Sequence, residues 1–162
     1  MEHRVTTIGV YGSDLSAFLG CLRAARVQLL LDVRQRRGVR GSEYAWANSV
    51  HLQQALAEAG IGYQHHRDLA PTTRLRELQY AEDDRRGVGK RSRRELAPAF
   101  IRGYTTEILD HADLGQLVSS LPTSGAAALF CVERDAAACH RRLIAERLAE
   151  RFGVSIEHLR AQ

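Results

Sequence analysis

One apolar run, together with the polar residues that follow it, constrains the fold of this chain more than any other segment. The run at 126–132 is entirely apolar, which is typical of a buried strand. A carboxylate and a guanidinium follow, and Asp135 is placed to cap a helix whose first turn carries Cys139 and His140. We expect His140 to begin the buried face of that helix, because apolar residues recur every four positions in the stripe His140, Ile144, Leu148 and Phe152. A strand that leads through polar residues into a helix N-terminus is the geometry on which α/β enzymes build their sites.

Strand-like and helix-like patterns alternate along the rest of the chain. Further strands are predicted at 5–11, 27–33, 61–66 and 154–158, and helices near 14–25, 49–59, 73–84, 93–109, 113–121 and 136–152. This alternation predicts a three-layer α/β fold, with a mostly parallel sheet of about five strands and helices on both faces. The segment 68–121 is long for a single crossover, so we interpret it as a helical insertion within one α/β domain spanning residues 1–162.

Composition narrows the class of protein. The 162 residues are 44% hydrophobic and 26% charged, as in an ordinary globular domain with a real core. The sequence contains no apolar run near the roughly 20 residues of a membrane helix, and its first residues lack a signal-peptide pattern. We therefore expect a cytoplasmic protein without membrane contact. Three cysteines are an odd count, so structural disulfides are not expected.

Basic residues are concentrated in two clusters on a chain of net charge +4. The first cluster comprises Arg34, Arg36, Arg37 and Arg40, and the second comprises Arg85, Arg86, Lys90, Arg91, Arg93 and Arg94. Arginine forks suit phosphate geometry, so each cluster either contacts phosphate or nucleic acid or forms a solvated basic surface.

The predicted strand ends carry polar side chains, which gather at one edge of a parallel sheet. Ser13 opens the first helix, where backbone N–H groups either hold a phosphate or simply form a capped turn. Asp32 and Arg34 share strand parity, so they form either a structural ion pair or part of a site. His65 ends the third predicted strand and is a further candidate.

The loop at 38–49 combines aromatic residues with arginine between two glycines. Arg40 and Tyr44 are the residues predicted to contact substrate, because aromatic rings beside arginines suit base stacking next to phosphate. Trp46 is predicted to fill the core beneath the loop.

Glu133 and His140 are the predicted catalytic pair, since a carboxylate and an imidazole can divide the general-base and general-acid roles. Asp32 is a third catalytic candidate, and Arg141 is predicted to bind an anionic substrate. Asp32 and Glu133 could instead hold a divalent metal ion, so the cofactor stays open.

Cys131 and Cys139 complete the set of site candidates. Their spacing matches neither a zinc finger nor a redox CxxC pair, so the sequence assigns no metal ligands. A thiol at a strand end beside a helix N-terminus is either a nucleophile or a small buried hydrophobe.

Three motifs of the chain are similar to those of a known family. Tyr11-Gly12-Ser13 after a strand, the run LLLDVR and the distal segment CVERD...CHR resemble, in this order, the domain of unknown function 488 family. The run RRGVRGSEYAWANS and the later LAPT resemble one subgroup, while Tyr11 stands where the family often has histidine. The resemblance covers nearly the whole chain, implies a single α/β domain and supplies no activity. The shared residues that it implies are Ser13, Asp32, Arg34, Glu133, Cys139, His140 and Arg141.

These features predict an enzyme of the hydrolase class that acts on a nucleic acid or nucleotide phosphate at the carboxyl edge of the sheet. A non-catalytic nucleic-acid-binding module that uses the two basic clusters is the main alternative. A sulfur-transfer or redox protein that uses Cys131 or Cys139 is a weaker one. The oligomeric state stays open.

Overall fold

The computed structural model describes residues 2–161 and contains a five-stranded sheet in which every pair of neighbouring strands is parallel. The strands are β1 (Arg4–Ile8), β2 (Val27–Asp32), β3 (Gly62–His65), β4 (Ala126–Phe130) and β5 (Ser155–His158). Their order across the sheet is β3-β2-β4-β1-β5. The structure therefore confirms the predicted three-layer α/β fold, and the sheet is fully rather than mostly parallel.

β4 occupies the centre of the sheet because its residues suit a strand that is covered on both faces. All five of its residues are completely buried. Ala128 pairs with Thr6 of β1 on one side and with Leu30 of β2 on the other. An alternating polar pattern could not occupy this position, because every second side chain would lose its contact with water.

Six α-helices connect and cover the strands. They are α1 (Leu15–Ala24), α2 (Ser49–Glu58), α3 (Thr73–Arg86), α4 (Pro98–Glu107), α5 (Leu114–Ser119) and α6 (His140–Phe152). Side chains cap several N-termini, as where Asp14 accepts a 2.8 Å hydrogen bond from the backbone N–H of Ala17. Within residues 2–161, none of the helices is both long and apolar enough to cross a membrane.

The predicted insertion corresponds to α3, α4 and α5, which lie between β3 and β4 in the chain. Tyr104 of α4 is completely buried and donates a 2.5 Å hydrogen bond to the carbonyl of Leu69. The helix predicted from residue 93 begins only at Pro98, since proline fits the first turn and cannot donate to a preceding one. The residues before it form a loop, because Arg93 turns inward to a buried ion pair.

The start of α6 differs from the prediction. Cys139, not Asp135, occupies the N-cap position, and a separate 3₁₀ turn spans Ala136–Ala138. The carboxylate of Asp135 pairs instead with Arg160 at 2.7 Å. His140 does begin the buried face, but Phe152 at the other end of the predicted stripe is 42% exposed, because the helix ends there.

The chain segments that leave β1, β2 and β4 stay close together beyond the sheet. The backbone N–H of Val10 donates to the carbonyl of Val132 at 2.9 Å, and that of Val33 donates to the carbonyl of Phe130 at 3.1 Å. Gly9 passes so close that a Cβ atom there would lie 1.9 Å from the carbonyl oxygen of Glu133. The glycine thus lets two strand ends converge on one place.

Candidate functional site

A cavity of about 680 Å³ lies at the carboxyl ends of β1, β2 and β4, where the insertion meets the sheet. Residues that follow β4 and begin α6 line it, and we call Cys131, Glu133, Cys139 and His140 the floor of the cavity. The insertion contributes residues such as Lys90 from the loop between α3 and α4. The structure thus brings together the thiols, carboxylate and imidazole that the sequence placed at this edge.

Asp32 and Arg34 form a buried ion pair beside the cavity. The guanidinium donates from Nε to Oδ1 at 2.9 Å and from Nη2 to Oδ2 at 2.8 Å, and both side chains are almost completely buried. Tyr63 also donates its hydroxyl to Oδ2 at 2.6 Å, and Arg34 donates a further bond to the carbonyl of Ala47. Because both carboxylate oxygens have partners, the pair anchors the end of β2 and the loop that follows.

Two thiols and an imidazole meet at the floor. Nδ1 of His140 lies 3.9 Å from Sγ of Cys131 and 3.7 Å from Sγ of Cys139, and the three atoms all lie within 4.8 Å of one another. The other ring nitrogen, Nε2, lies 2.8 Å from the carbonyl oxygen of Val33. A carbonyl only accepts, so Nε2 carries a proton, and Nδ1 faces the two thiols.

The two thiols have pKa values that move in opposite directions. The neighbouring Cys139 thiol and burial together raise the pKa of Cys131 well above its usual value. Burial alone would also raise the pKa of Cys139, but the Cys131 thiol and the charges of Arg141 and His140 lower it well below that value. Burial favours the neutral form of His140, yet the negative charges of Cys139 and Glu133 outweigh this effect and raise its pKa. Of the two thiols, Cys139 is therefore the one that loses its proton more readily.

Glu133 is the only carboxylate among the described residues that line the cavity, and it is 7% exposed. Arg93 donates to its Oε1 at 3.3 Å and also holds Asp83 at 2.6 Å. The other oxygen, Oε2, is buried and has no hydrogen-bond partner within residues 2–161. Burial and the charge of Cys139 raise the pKa of Glu133, whereas the positive charges of Lys90 and Arg93 act against that rise.

Comparison with known proteins places the chain in a family. The family model described as Domain of unknown function DUF488 matches residues 14–148, which include the whole floor of the cavity. The chain belongs to the DUF488 family. This confirms the resemblance that the three motifs indicated. Neither the curated proteins nor the solved structures contain a match.

Several residues predicted for the site of this DUF488 protein lie outside the cavity lining. These are Ser13, Asp32, Tyr44, His65 and Arg141. Arg141 is completely buried and donates to the backbone carbonyls of Glu133 at 2.7 Å and Arg134 at 3.2 Å. Its guanidinium therefore positions the loop that carries Glu133.

Asp32 is held by Arg34 and Tyr63, as described above, and Ser13, Tyr44 and His65 also have local partners. The hydroxyl of Ser13 donates to the carbonyl of Asp14 at 3.1 Å. Nε2 of His65 lies 2.9 Å from the carbonyl oxygen of Arg34, and the hydroxyl of Tyr44 accepts a 3.1 Å hydrogen bond from the backbone N–H of Gly12. These contacts hold the loops around the cavity in place.

The two basic clusters meet at the cavity. The sequence alone does not show that they lie together. Arg40 and Arg91 both line it, and Arg91 donates to the carbonyl of Arg40 at 2.9 Å. The guanidinium of Arg91 lies 5.1 Å from the ring centre of Tyr11 and 5.2 Å from that of Tyr44. In contrast, Arg86 is held by surface ion pairs on and beside α3.

The sequence pattern identifies Lys90, Arg91 and Arg93 only as members of a basic cluster and assigns none of them to the site. The glycines Gly87 and Gly89, which interrupt that cluster, were the available signal that the segment leaves the helix and turns. Nothing in the local pattern shows that Arg93 reaches Glu133, which is 40 residues away in the chain.

Proposed function

We propose that this DUF488 protein is a hydrolase that acts on a nucleotide or nucleic-acid phosphate substrate, with Glu133 as the general base. The observation that carries this proposal is the unpartnered oxygen Oε2 of Glu133 at the floor of a cavity whose other charged lining groups are mostly cationic.

The unpartnered oxygen supports a chemical role because a buried carboxylate oxygen without a hydrogen bond is costly. Arg93 holds Oε1 in place, so the position of Oε2 is defined while its lone pairs stay free. A bound water or substrate hydroxyl would satisfy Oε2, and a carboxylate in that position can remove its proton. Glu133 is thus a better general base than Asp32, whose oxygens both have partners.

The basic lining supports a phosphate-bearing substrate. Two arginines of the lining, Arg34 and Arg93, are held in buried ion pairs. The other cations of the lining are Arg36, Arg40, Arg76, Lys90 and Arg91. Tyr11, Tyr80 and Phe100 add aromatic surface on which a base can stack. The volume of about 680 Å³ falls within the range of roughly 300–1,000 Å³ that is usual for small-molecule sites.

In this proposal His140 does not take the general-acid or general-base role that the sequence predicts for it. Its Nε2 faces the carbonyl of Val33 and its Nδ1 faces the two thiols. Neither nitrogen is free to exchange protons with a substrate, so the acid–base role in this proposal belongs to Glu133 alone.

The test combines binding and turnover. Nucleoside mono-, di- and triphosphates and short single- and double-stranded oligonucleotides are measured against wild type and Glu133→Gln, at about 50 and 200 mM salt. We expect salt-sensitive binding by both proteins, and turnover that falls by about 100-fold or more in Glu133→Gln. Unchanged turnover in a folded Glu133→Gln variant would show that Glu133 is not the base.

A charge-removal pair tests the cationic lining. Arg40→Ala combined with Lys90→Ala removes two lining cations, while Arg151→Ala removes an exposed arginine at the end of α6, outside the lining. The double variant should bind more weakly and with a shallower salt dependence, and Arg151→Ala should match wild type. Equal losses in both variants would indicate a general charge effect and no phosphate site in the cavity.

A non-catalytic nucleic-acid-binding module is the second candidate function. The meeting of the two basic clusters through Arg91 and the carbonyl of Arg40 favours it. Salt-sensitive binding of oligonucleotides, without turnover of any substrate, would select this alternative over the hydrolase.

A further inference from the structure

We propose that Cys131, Cys139 and His140 bind one Zn²⁺ ion at the floor of the cavity. A catalytic role for this ion rests on the proposed function. The binding site itself rests on the geometry of three side chains and can be tested without any substrate.

The three ligand atoms are already close to the positions that zinc requires. Tetrahedral zinc binds sulfur at about 2.3 Å and imidazole nitrogen at about 2.0–2.1 Å, so ligand atoms lie roughly 3.5–3.8 Å apart. Nδ1 of His140 lies 3.7 Å from Sγ of Cys139 and 3.9 Å from Sγ of Cys131, and no pair of the three atoms exceeds 4.8 Å. Small side-chain movements would therefore complete three vertices of a tetrahedron.

The ring of His140 is oriented as a zinc ligand needs it. Histidines that bind metals usually donate the other ring N–H to a carbonyl or carboxylate, which fixes the tautomer. Here Nε2 has such an acceptor in the carbonyl of Val33 at 2.8 Å. Two thiolates and one imidazole form a ligand set that favours zinc over magnesium or calcium, which prefer oxygen.

The unpartnered Oε2 of Glu133 is an independent sign that the same cavity binds a polar group. Three protein ligands leave one position of the tetrahedron for a molecule from the cavity, as in catalytic rather than structural zinc sites. All three ligands line the cavity, and so does Glu133. A water on the ion and the carboxylate of Glu133 would therefore face the same cavity.

The chemistry balances without an oxidant or reductant. Zn²⁺ would bind both sulfurs as thiolates, so the ion and its two sulfur ligands would together be neutral, and the protons still held by the thiols would pass to solvent. The ion would lower the pKa of a water bound to it, and Glu133 would accept the proton of that water as it attacks the substrate. Glu133 would then pass the proton to the leaving group, so that the overall reaction would be hydrolysis.

The first experiment uses the wild-type protein under reducing conditions. All three cysteines are free in the structure, and Cys21 lies in α1, outside the cavity lining. Metal-free protein is treated with an alkylating reagent, with or without Zn²⁺, and each cysteine is scored by mass spectrometry. We expect zinc to slow the modification of Cys131 and Cys139 by at least about tenfold and to leave Cys21 unaffected. Equal modification of all three with and without zinc would overturn the proposal.

Cobalt provides the second readout, because tetrahedral Co²⁺ bound by thiolates has characteristic visible bands and a near-ultraviolet charge-transfer band. Wild type and Cys21→Ser should bind one equivalent with these bands, while Cys139→Ser should lose them. Glu133→Gln should keep the bands, since the carboxylate is not a ligand. Bands that survive in a folded Cys139→Ser variant would place the metal elsewhere.

These outcomes separate the metal site from the proposed function. Zinc protection together with an absence of nucleotide turnover would retain the metal site and remove the hydrolase. Turnover that depends on Glu133 in a protein that binds neither zinc nor cobalt would retain the hydrolase and remove the metal site.

Discussion

Nε2 of His140 lies 2.8 Å from the carbonyl oxygen of Val33, which joins the first residue of α6 to the end of β2 across 107 positions of the chain. The contact fixes which ring nitrogen carries the proton and turns the other toward Cys131 and Cys139. The end of β2 and the first residue of α6 therefore fix together how the imidazole lies at the floor of the cavity.

Loss of the ion pair between Asp32 and Arg34 should lower the free energy of unfolding. In Asp32→Asn the guanidinium of Arg34 would stay buried without its countercharge, which typically costs about 3–5 kcal/mol of unfolding free energy. Glu107→Gln is the matched control, because it breaks an exposed pair with Arg74 and should cost less than about 1 kcal/mol. Denaturant unfolding measures both changes, and equal small losses would show that the buried pair does not anchor β2.

The loop between α3 and α4 should depend on Arg93. Arg93→Gln would leave Asp83 and Glu133 buried without the cation that they share, so the loop should open more often. Hydrogen exchange of residues 87–97 should become faster in this variant. Arg94→Gln, which changes the exposed neighbouring arginine, should exchange like wild type. Unchanged exchange in Arg93→Gln would show that other contacts hold the loop closed.

His158 should make stability depend on pH. Partial desolvation of this exposed ring and the nearby positive charge of Arg141 lower its pKa in the folded protein, and Thr7 lies 2.8 Å from Nδ1, a contact that suits a neutral ring. The unfolded chain keeps an ordinary histidine pKa of about 6.5 and binds the proton more readily. This contribution to stability is therefore present above about pH 6.5 and is lost as the pH falls through the folded pKa.

The measurement compares unfolding free energies between about pH 7.5 and pH 5. Wild type should lose more stability across this window than His158→Asn, which has no proton to gain there. His51→Asn changes an exposed histidine of α2 and should follow wild type. Parallel curves for wild type and His158→Asn would contradict the prediction.

Replacing each of two glycines by alanine should change the stability of the protein in opposite directions. Gly9→Ala would place a Cβ 1.9 Å from the carbonyl of Glu133, so the strand ends must separate and the protein should lose stability by about 1–3 kcal/mol or more. Gly20 lies within α1 with no other heavy atom within 4 Å of such a Cβ. Gly20→Ala should therefore stabilise the protein by about 0.5–1 kcal/mol, through the higher helix propensity of alanine. Thermal unfolding of both variants tests the pair, and stabilisation by Gly9→Ala would contradict the close approach.

Local pattern was sufficient to predict the fold because each strand and helix carries its own periodicity. The apolar run of β4 predicted a strand buried on both faces, and the pairing of Asp32 with Arg34 followed from their shared parity on β2. The errors lie where tertiary contacts override local preference. Asp135 pairs with Arg160 instead of capping α6, and Arg93 leaves its predicted helix to neutralise Asp83.

Hydrophobic periodicity and strand direction are local properties, so the order of the elements, the parallel sheet and the edge at which the polar residues gather follow from the amino-acid sequence alone. Which of those residues face the cavity depends on the tertiary structure. It turned Arg141 inward to backbone carbonyls, left Oε2 of Glu133 without a partner and set His140 between two thiols. These outcomes depend on contacts between segments that are distant in the chain, and no local pattern encodes the angle at which such segments meet.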